Sequence, residues 1–151
     1  MPIITRNATI EDLDTLYSIE RECFTLEAFS KELVVSLLRN PNSTSLLAEV
    51  GDDVVGFVIA LTYERGNHKV GHILTIDVAL KARKKGVGLR LLEELEHRLR
   101  EKRAEACCLE VDVENLAARR LYKRMGYAET GFIEGYYSSG GDCVTMKKDL
   151  Q

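Results

Sequence analysis

Two hydrophobic periods alternate along the chain. Ile10, Leu13, Leu16, Tyr17 and Phe24 recur at helical spacing, which predicts a helix running to about residue 23. Thr9 with Asp12 three residues on resembles a capping box at its start. Leu33, Val34, Leu37 and Leu38 repeat the period behind Ser30, an N-cap type, and Asn40-Pro41 stops this second helix. Val87, Leu91, Leu95 and Leu99 mark a third helix to Lys102, and "LAARRLYKRM" a fourth, closed by Gly126. Strand-length apolar stretches lie between them. They are residues 3–6, the hairpin pair "TSLLAEV" and "VVGFVIALTY" around the turn "GDD", then "HILTIDVAL", "ACCLEVDV", and pieces near 127–137 and 142–148. The order predicts an α/β domain around a mostly antiparallel sheet, with too few βα units for a doubly wound fold. No repeat or low-complexity linker interrupts residues 1–151, so one domain is expected.

Charge changes this picture locally. A net charge of -3 gives no global attraction to nucleic acid or anionic membrane. Against that background, Lys81, Arg83, Lys84, Lys85 and Arg90 crowd into ten residues without an acid, in a loop that joins a strand to a helix. Gly86 and Gly88 let an anion approach bare backbone, and the helix start offers free N–H groups with the positive end of its dipole. The loop lacks the third glycine of a dinucleotide fingerprint and the Gly-Lys-Ser/Thr of a P-loop. No aromatic residue interleaves its cations, which argues against nucleic acid. The four cysteines have no metal spacing, and Cys107 adjoins Cys108, so free thiols in a reducing cytosol are expected and no metal site is. There is no apolar leader or bilayer-length run, so a cytoplasmic protein away from membrane is expected.

Three motifs carry a family resemblance over nearly the whole chain. "VALKARKKGVGLRLL" resembles the R/Q-x-x-G-x-G/A pyrophosphate loop of the GNAT acetyltransferases. "LEVDVENLAARRLYKRMGY" is similar to that family's L-E-V-x-x-x-N-x-x-A-x-x-L-Y-x-x-x-G-F/Y. "GYYSSGGDCVTMKKDL" resembles the closing Y-Y-x-x-G-x-D-A-x-x-M of its RimI-like and NatA-type N-terminal acetyltransferases. The resemblance implies the GNAT fold: about seven strands in a mixed, mostly antiparallel sheet with splayed central strands, flanked by four helices.

It also implies a site for acetyl-CoA as cosubstrate. Arg83, Lys84, Lys85, Gly86, Val87 and Gly88 would bind the pyrophosphate, and backbone groups of Ile76 and Val78 the pantetheine arm. Asn115 would cap a helix and bond the same arm. The chemistry requires an amine to lose a proton and attack a thioester, and the departing thiolate to gain one. Glu110, the glutamate of L-E-V, is the candidate base through an ordered water. His72 matches a histidine at this strand's start in archaeal relatives and is a candidate to share that role. Tyr122, the tyrosine of L-Y, is the candidate acid. Alternatives for each are a strand-edge salt bridge, a structural histidine and a core aromatic.

On the acceptor side the resemblance places Tyr136, Tyr137, Glu27 and Phe29. "TLEAFS" departs from the bacterial proline-tryptophan-serine form, and Asp112 and Glu114 stand where relatives often carry arginine and serine, so acceptor preference does not transfer. Physical chemistry favours an α-amine. About a tenth of α-amines are neutral at pH 7, against roughly one lysine in 2,500. The expected partners are therefore acetyl-CoA and protein or peptide N-termini, a ribosomal protein among the candidates. A GNAT acting on a lysine, polyamine or other small amine is the alternative. A non-catalytic acyl-CoA-binding module is a third reading, opposed by the intact Glu110 and Tyr122.

Overall fold

The expected segments form seven strands and four helices in a computed structural model that describes residues 1–151. In chain order they are β1 (Ile3–Asn7), α1 (Leu13–Cys23), α2 (Lys31–Arg39), β2 (Ser43–Val50), β3 (Asp53–Arg65), β4 (His68–Val78), α3 (Val87–Glu101), β5 (Ala106–Asp112), α4 (Leu116–Arg124), β6 (Ala128–Ile133) and β7 (Cys143–Asp149). Single 3-10 turns, Ile10–Asp12 and Leu80–Ala82, lead into α1 and follow β4. Local chemistry sets the helix starts. The Asp12 carboxylate accepts the Thr9 amide at 2.8 Å, and Ser30 Oγ accepts the Leu33 amide at 3.1 Å. No helix is long and apolar enough to cross a membrane.

The sheet order is β1-β2-β3-β4-β5-β7-β6, and every neighbour pair but one is antiparallel. The exception positions the site. β4 and β5 run parallel and pair only over Val70–His72 against Ala106–Cys108. Beyond His72 they diverge, so the sheet opens into a wedge. β4 also carries an extra residue at Leu74, because Ile59 pairs with Thr75 while Ala60 pairs with Ile73. Past this bulge, Thr75 and Asp77 share a face with their partners Ile59 and Phe57, under α1 and α2.

Two apolar layers hold the sheet. α3 buries Leu91, Leu92, Leu95 and Leu99 completely in the larger core on one face. Each such leucine contributes about 1.5–3 kcal/mol. Leu16, Ile19, Leu37, Leu47, Phe57 and Ile59 form the smaller core beneath α1 and α2. Two strands differ from expectation. β4 begins at His68 rather than His72, because the two-residue Gly66-Asn67 turn, with Gly66 at φ 63°, lets the β3–β4 hairpin continue. It ends at Val78, where Ala79 and Leu80 peel into the 3-10 turn. β6 is shorter than expected because the chain turns at Gly135, whose amide donates to Asp142 Oδ1 at 2.8 Å.

Candidate active site

The wedge mouth brings together residues that are distant in sequence. His72 is the last residue of β4 paired with β5, and Glu110 lies two residues past the last parallel pair on β5. His72 Nε2 and Glu110 Oε1 are 2.8 Å apart, and the Tyr136 hydroxyl donates to the same oxygen at 3.3 Å. The hydrogen bond from His72 holds the Glu110 carboxyl below its usual range, with burial opposing and Tyr136 assisting. The result is an ionised carboxylate locked onto an imidazole, half-buried and open to the groove.

Behind this pair, a cavity of about 330 Å³ follows the wedge between the strands. Ile76, Leu109, Val111, Asn115, Tyr122 and Tyr137 are among its walls. Strand alternation supplies its polar groups. The Ala79 amide bonds Val55 on β3, so Ile76 and Val78 turn their backbone groups toward β5, where no strand pairs with them. Tyr122, 4 % exposed, stands edge-on to Tyr127 with ring centres 5.7 Å apart. Burial pushes its hydroxyl well above the ordinary phenol range, which keeps its proton in place. Asn115 Oδ1 accepts the Ala118 amide at 3.1 Å and so caps α4 as expected.

The basic loop crosses the far end of the wedge. Lys84 (φ 63°) and Gly86 (φ 85°) both adopt left-handed backbone, and together they turn the chain so that α3 starts with its amides exposed. A Cβ built at Gly88 would stand 3.0 Å from Leu121 Cδ2, so α3 meets α4 closely here and even a methyl would press on that leucine. Lys84, Lys85 and Arg90 have no carboxylate within ion-pair distance, whereas Lys81 lies 3.6 Å from Asp53. Arg83 differs from its neighbours. Its Nε donates to the Val78 carbonyl at 3.1 Å, and its Nη2 lies 3.4 Å from Cys23 Sγ, so it braces the loop against β4 and α1. Free amides, unpaired lysines and a bare glycine pair fit a diphosphate, and the unpaired edge of β4 fits an extended amide-bearing arm.

The side expected to receive the acceptor is built from two loops. Tyr136 and Tyr137 stack edge to face with centres 4.9 Å apart, one on Glu110 and the other on the cavity. Across from them, Glu27 is already engaged: Ser138 Oγ and the Ser139 amide each donate to it at 2.9 Å. Those bonds, the Ser139 amide foremost, hold its carboxyl below the usual range. Glu27 therefore clasps the α1–α2 connection to the β6–β7 loop. Phe29 packs against the smaller core, and its amide donates to Glu20 Oε2 at 2.9 Å. Ser138, Ser139, Glu20 and Thr75 escape a motif-based reading. Glu20 alone leaves a signal, since it falls on the apolar stripe four residues after Leu16.

Comparison with known proteins agrees with this geometry. Residues 13–127 match the model of the acetyltransferase (GNAT) family. An uncharacterized N-acetyltransferase of Methanocaldococcus jannaschii is 33% identical over 97% of this chain and 91% of its own length. An N-alpha-acetyltransferase of Sulfurisphaera tokodaii is 30% identical over 96% of this chain and 92% of its own. Among solved structures, Ard1 from Thermoplasma volcanium superposes with a TM-score of 0.90 at 27% identity, covering 100% of this chain and 99% of its own. Wedge, basic glycine loop and family match converge: this chain belongs to the GNAT family of acetyltransferases.

Proposed function

We propose that this enzyme transfers the acetyl group of acetyl-CoA to the α-amino group of protein N-termini. The observation that carries the proposal is the His72–Glu110–Tyr136 cluster at the wedge mouth, facing a groove walled by paired tyrosines and the Glu27 clasp. The names of relatives support it, among them N-alpha-acetyltransferases of three archaea and a putative ribosomal-protein bS18 alanine N-acetyltransferase of Bacillus subtilis.

Acetyl-CoA, when bound, supplies an activated acetyl thioester. The amides of Val87 and Gly88 with Lys84 and Lys85 hold its diphosphate, and Ile76 and Val78 hold the arm along β4. His72 and Glu110 act as one base: the carboxylate fixes the ring and balances the charge that the ring gains on taking the amine proton through a bridging water. An α-ammonium, with a reference pKa near 8, is within reach of such a modest base. Tyr122 keeps the proton that the departing sulfur needs.

A second reading has its own observation. The cavity lining includes Glu20, Glu27, Glu110, Asp112 and Glu114 and no lysine or arginine, an environment that suits a polycation. Two peptides of one sequence with an internal lysine, one free and one blocked at its N-terminus, separate the readings. Mass spectrometry is expected to find acetylation only on the free α-amine. Turnover of the blocked peptide, or of spermidine above the free peptide, assigns the enzyme to the alternative acceptor class.

A further inference from the structure

Glu20 and Asp77 are both 1 % exposed, on the floor of the acceptor side, with the Thr75 hydroxyl between them. Thr75 Oγ1 lies 3.2 Å from Glu20 Oε1 and 2.5 Å from Asp77 Oδ1. A hydroxyl has one hydrogen to donate, so two ionised carboxylates cannot both be satisfied by it. The second contact closes only when a carboxyl O–H donates to Thr75. Asp77 Oδ2 is buried and meets no donor, while its Oδ1 shares the Thr75 hydroxyl with Glu20. An acceptor facing an acceptor, both shielded from solvent, is resolved by one proton.

We propose that Glu20 and Asp77 share one proton, and that this pair is a positioning device: it fixes Glu20 Oε2 on the Phe29 amide and thereby sets the acceptor wall. The inference rests on the reading of that groove as the acceptor site. Burial, then the hydrogen bond and charge of Glu20, hold the Asp77 carboxyl well above the usual carboxylate range. Arg83 is the cation acting on Asp77, and it opposes that shift. The other titratable neighbours are Cys23 on α1 and Tyr122 on α4, both pushed toward their neutral forms by burial. With the proton in place, one carboxyl donates to Thr75, Thr75 donates to the other, and the network from Thr75 to Phe29 is complete. Loss of the proton sets two buried anions against each other and frees Phe29.

The pair is a positioning element, so its test separates acceptor KM from kcat. Asp77→Asn and Glu20→Gln each replace the shared proton with an amide N–H at nearly constant shape. Between about pH 7 and pH 9.5, the acceptor KM of the wild type is expected to rise several-fold relative to either variant on the same peptide. The ratio cancels the peptide's own ionisation, and kcat and acetyl-CoA KM ratios should stay flat. Because the folded Asp77 binds its proton more tightly than the unfolded one, wild-type stability falls as pH rises toward the folded value. The Tm gain of Asp77→Asn should therefore grow with pH. Carbon-13 titration of the side-chain carboxyls, on free protein without acceptor, is the second arm. One of the two is expected to stay protonated at pH 7. Ionisation of both below about pH 5, or parallel KM curves for wild type and variants, overturns the inference. A different acceptor amine would overturn the proposed substrate yet leave the carboxyl titration unchanged.

Discussion

As the proposed base, Glu110 answers to two demands that pull apart. A strong base needs a high pKa, yet the His72 contact depresses this carboxyl. The conflict disappears when carboxylate and imidazole work as one group, and that carries a test. Glu110→Gln and His72→Gln should each lower kcat by about 10²-fold while acetyl-CoA affinity is kept, as for a lost general base. The double variant should lose little more than either single one, because the partners are coupled. Additive losses in steady-state kinetics would separate the two roles. Glu110 also links stability to pH. Its folded pKa is depressed, so its stabilisation is present above the unfolded value and fades as pH falls through the folded one. Tyr122→Phe removes a buried hydroxyl that stays protonated, and slower single-turnover transfer with unchanged binding is the expected result.

The loop before α3 shows what an element can do that no single side chain can. Its left-handed turn at Gly86 aims the first amides of α3 outward, and Gly88 lets α3 close on Leu121. Proline at Gly86 would force φ to about -65°, and tryptophan at Gly88 has no room. Calorimetry should find acetyl-CoA binding abolished in both variants, with the far-ultraviolet circular dichroism unchanged. Most elements were legible in sequence because their apolar period and caps agree: Ser30 for α2, Asn115 for α4, Leu91 to Leu99 for α3. The start of β4 was not, because His68 and Lys69 are polar and only the Gly66-Asn67 turn announces them. Nor was the bulge at Leu74, which rotates Thr75 and Asp77 onto the other face without altering the apolar run. Motifs located Glu110, Tyr122, Tyr136 and the glycines. The Glu27 clasp and the Glu20–Thr75–Asp77 cluster are long-range pairings of ordinary residues, and no local pattern encodes them.

At the scale of the whole molecule, the wedge leaves the sheet joined across its middle by only three residue pairs, Val70–His72 with Ala106–Cys108. The larger core spans the gap from below, through Leu99, Cys107 and Leu109, but the backbone ladder does not. A donor arm seated along Ile76 and Val78 would supply the missing hydrogen bonds. Native-state hydrogen exchange should therefore show the amides of β4 beyond His72, and those of β5, slowing with acetyl-CoA more than those of β1 and β2. Uniform slowing would mean the ligand stabilises the fold without bridging it. The open ladder has one more consequence. Ligand that binds only the folded state stabilises it by about 2.7 kcal/mol at a hundred times Kd. A sheet completed by a donor arm would be a keystone arch whose keystone outlasts the reaction, because acetyl-CoA and its product CoA carry the same arm. Its resistance to proteases would then follow the cell's total CoA, acetylated or not, and the enzyme's lifetime would become a gauge of that pool.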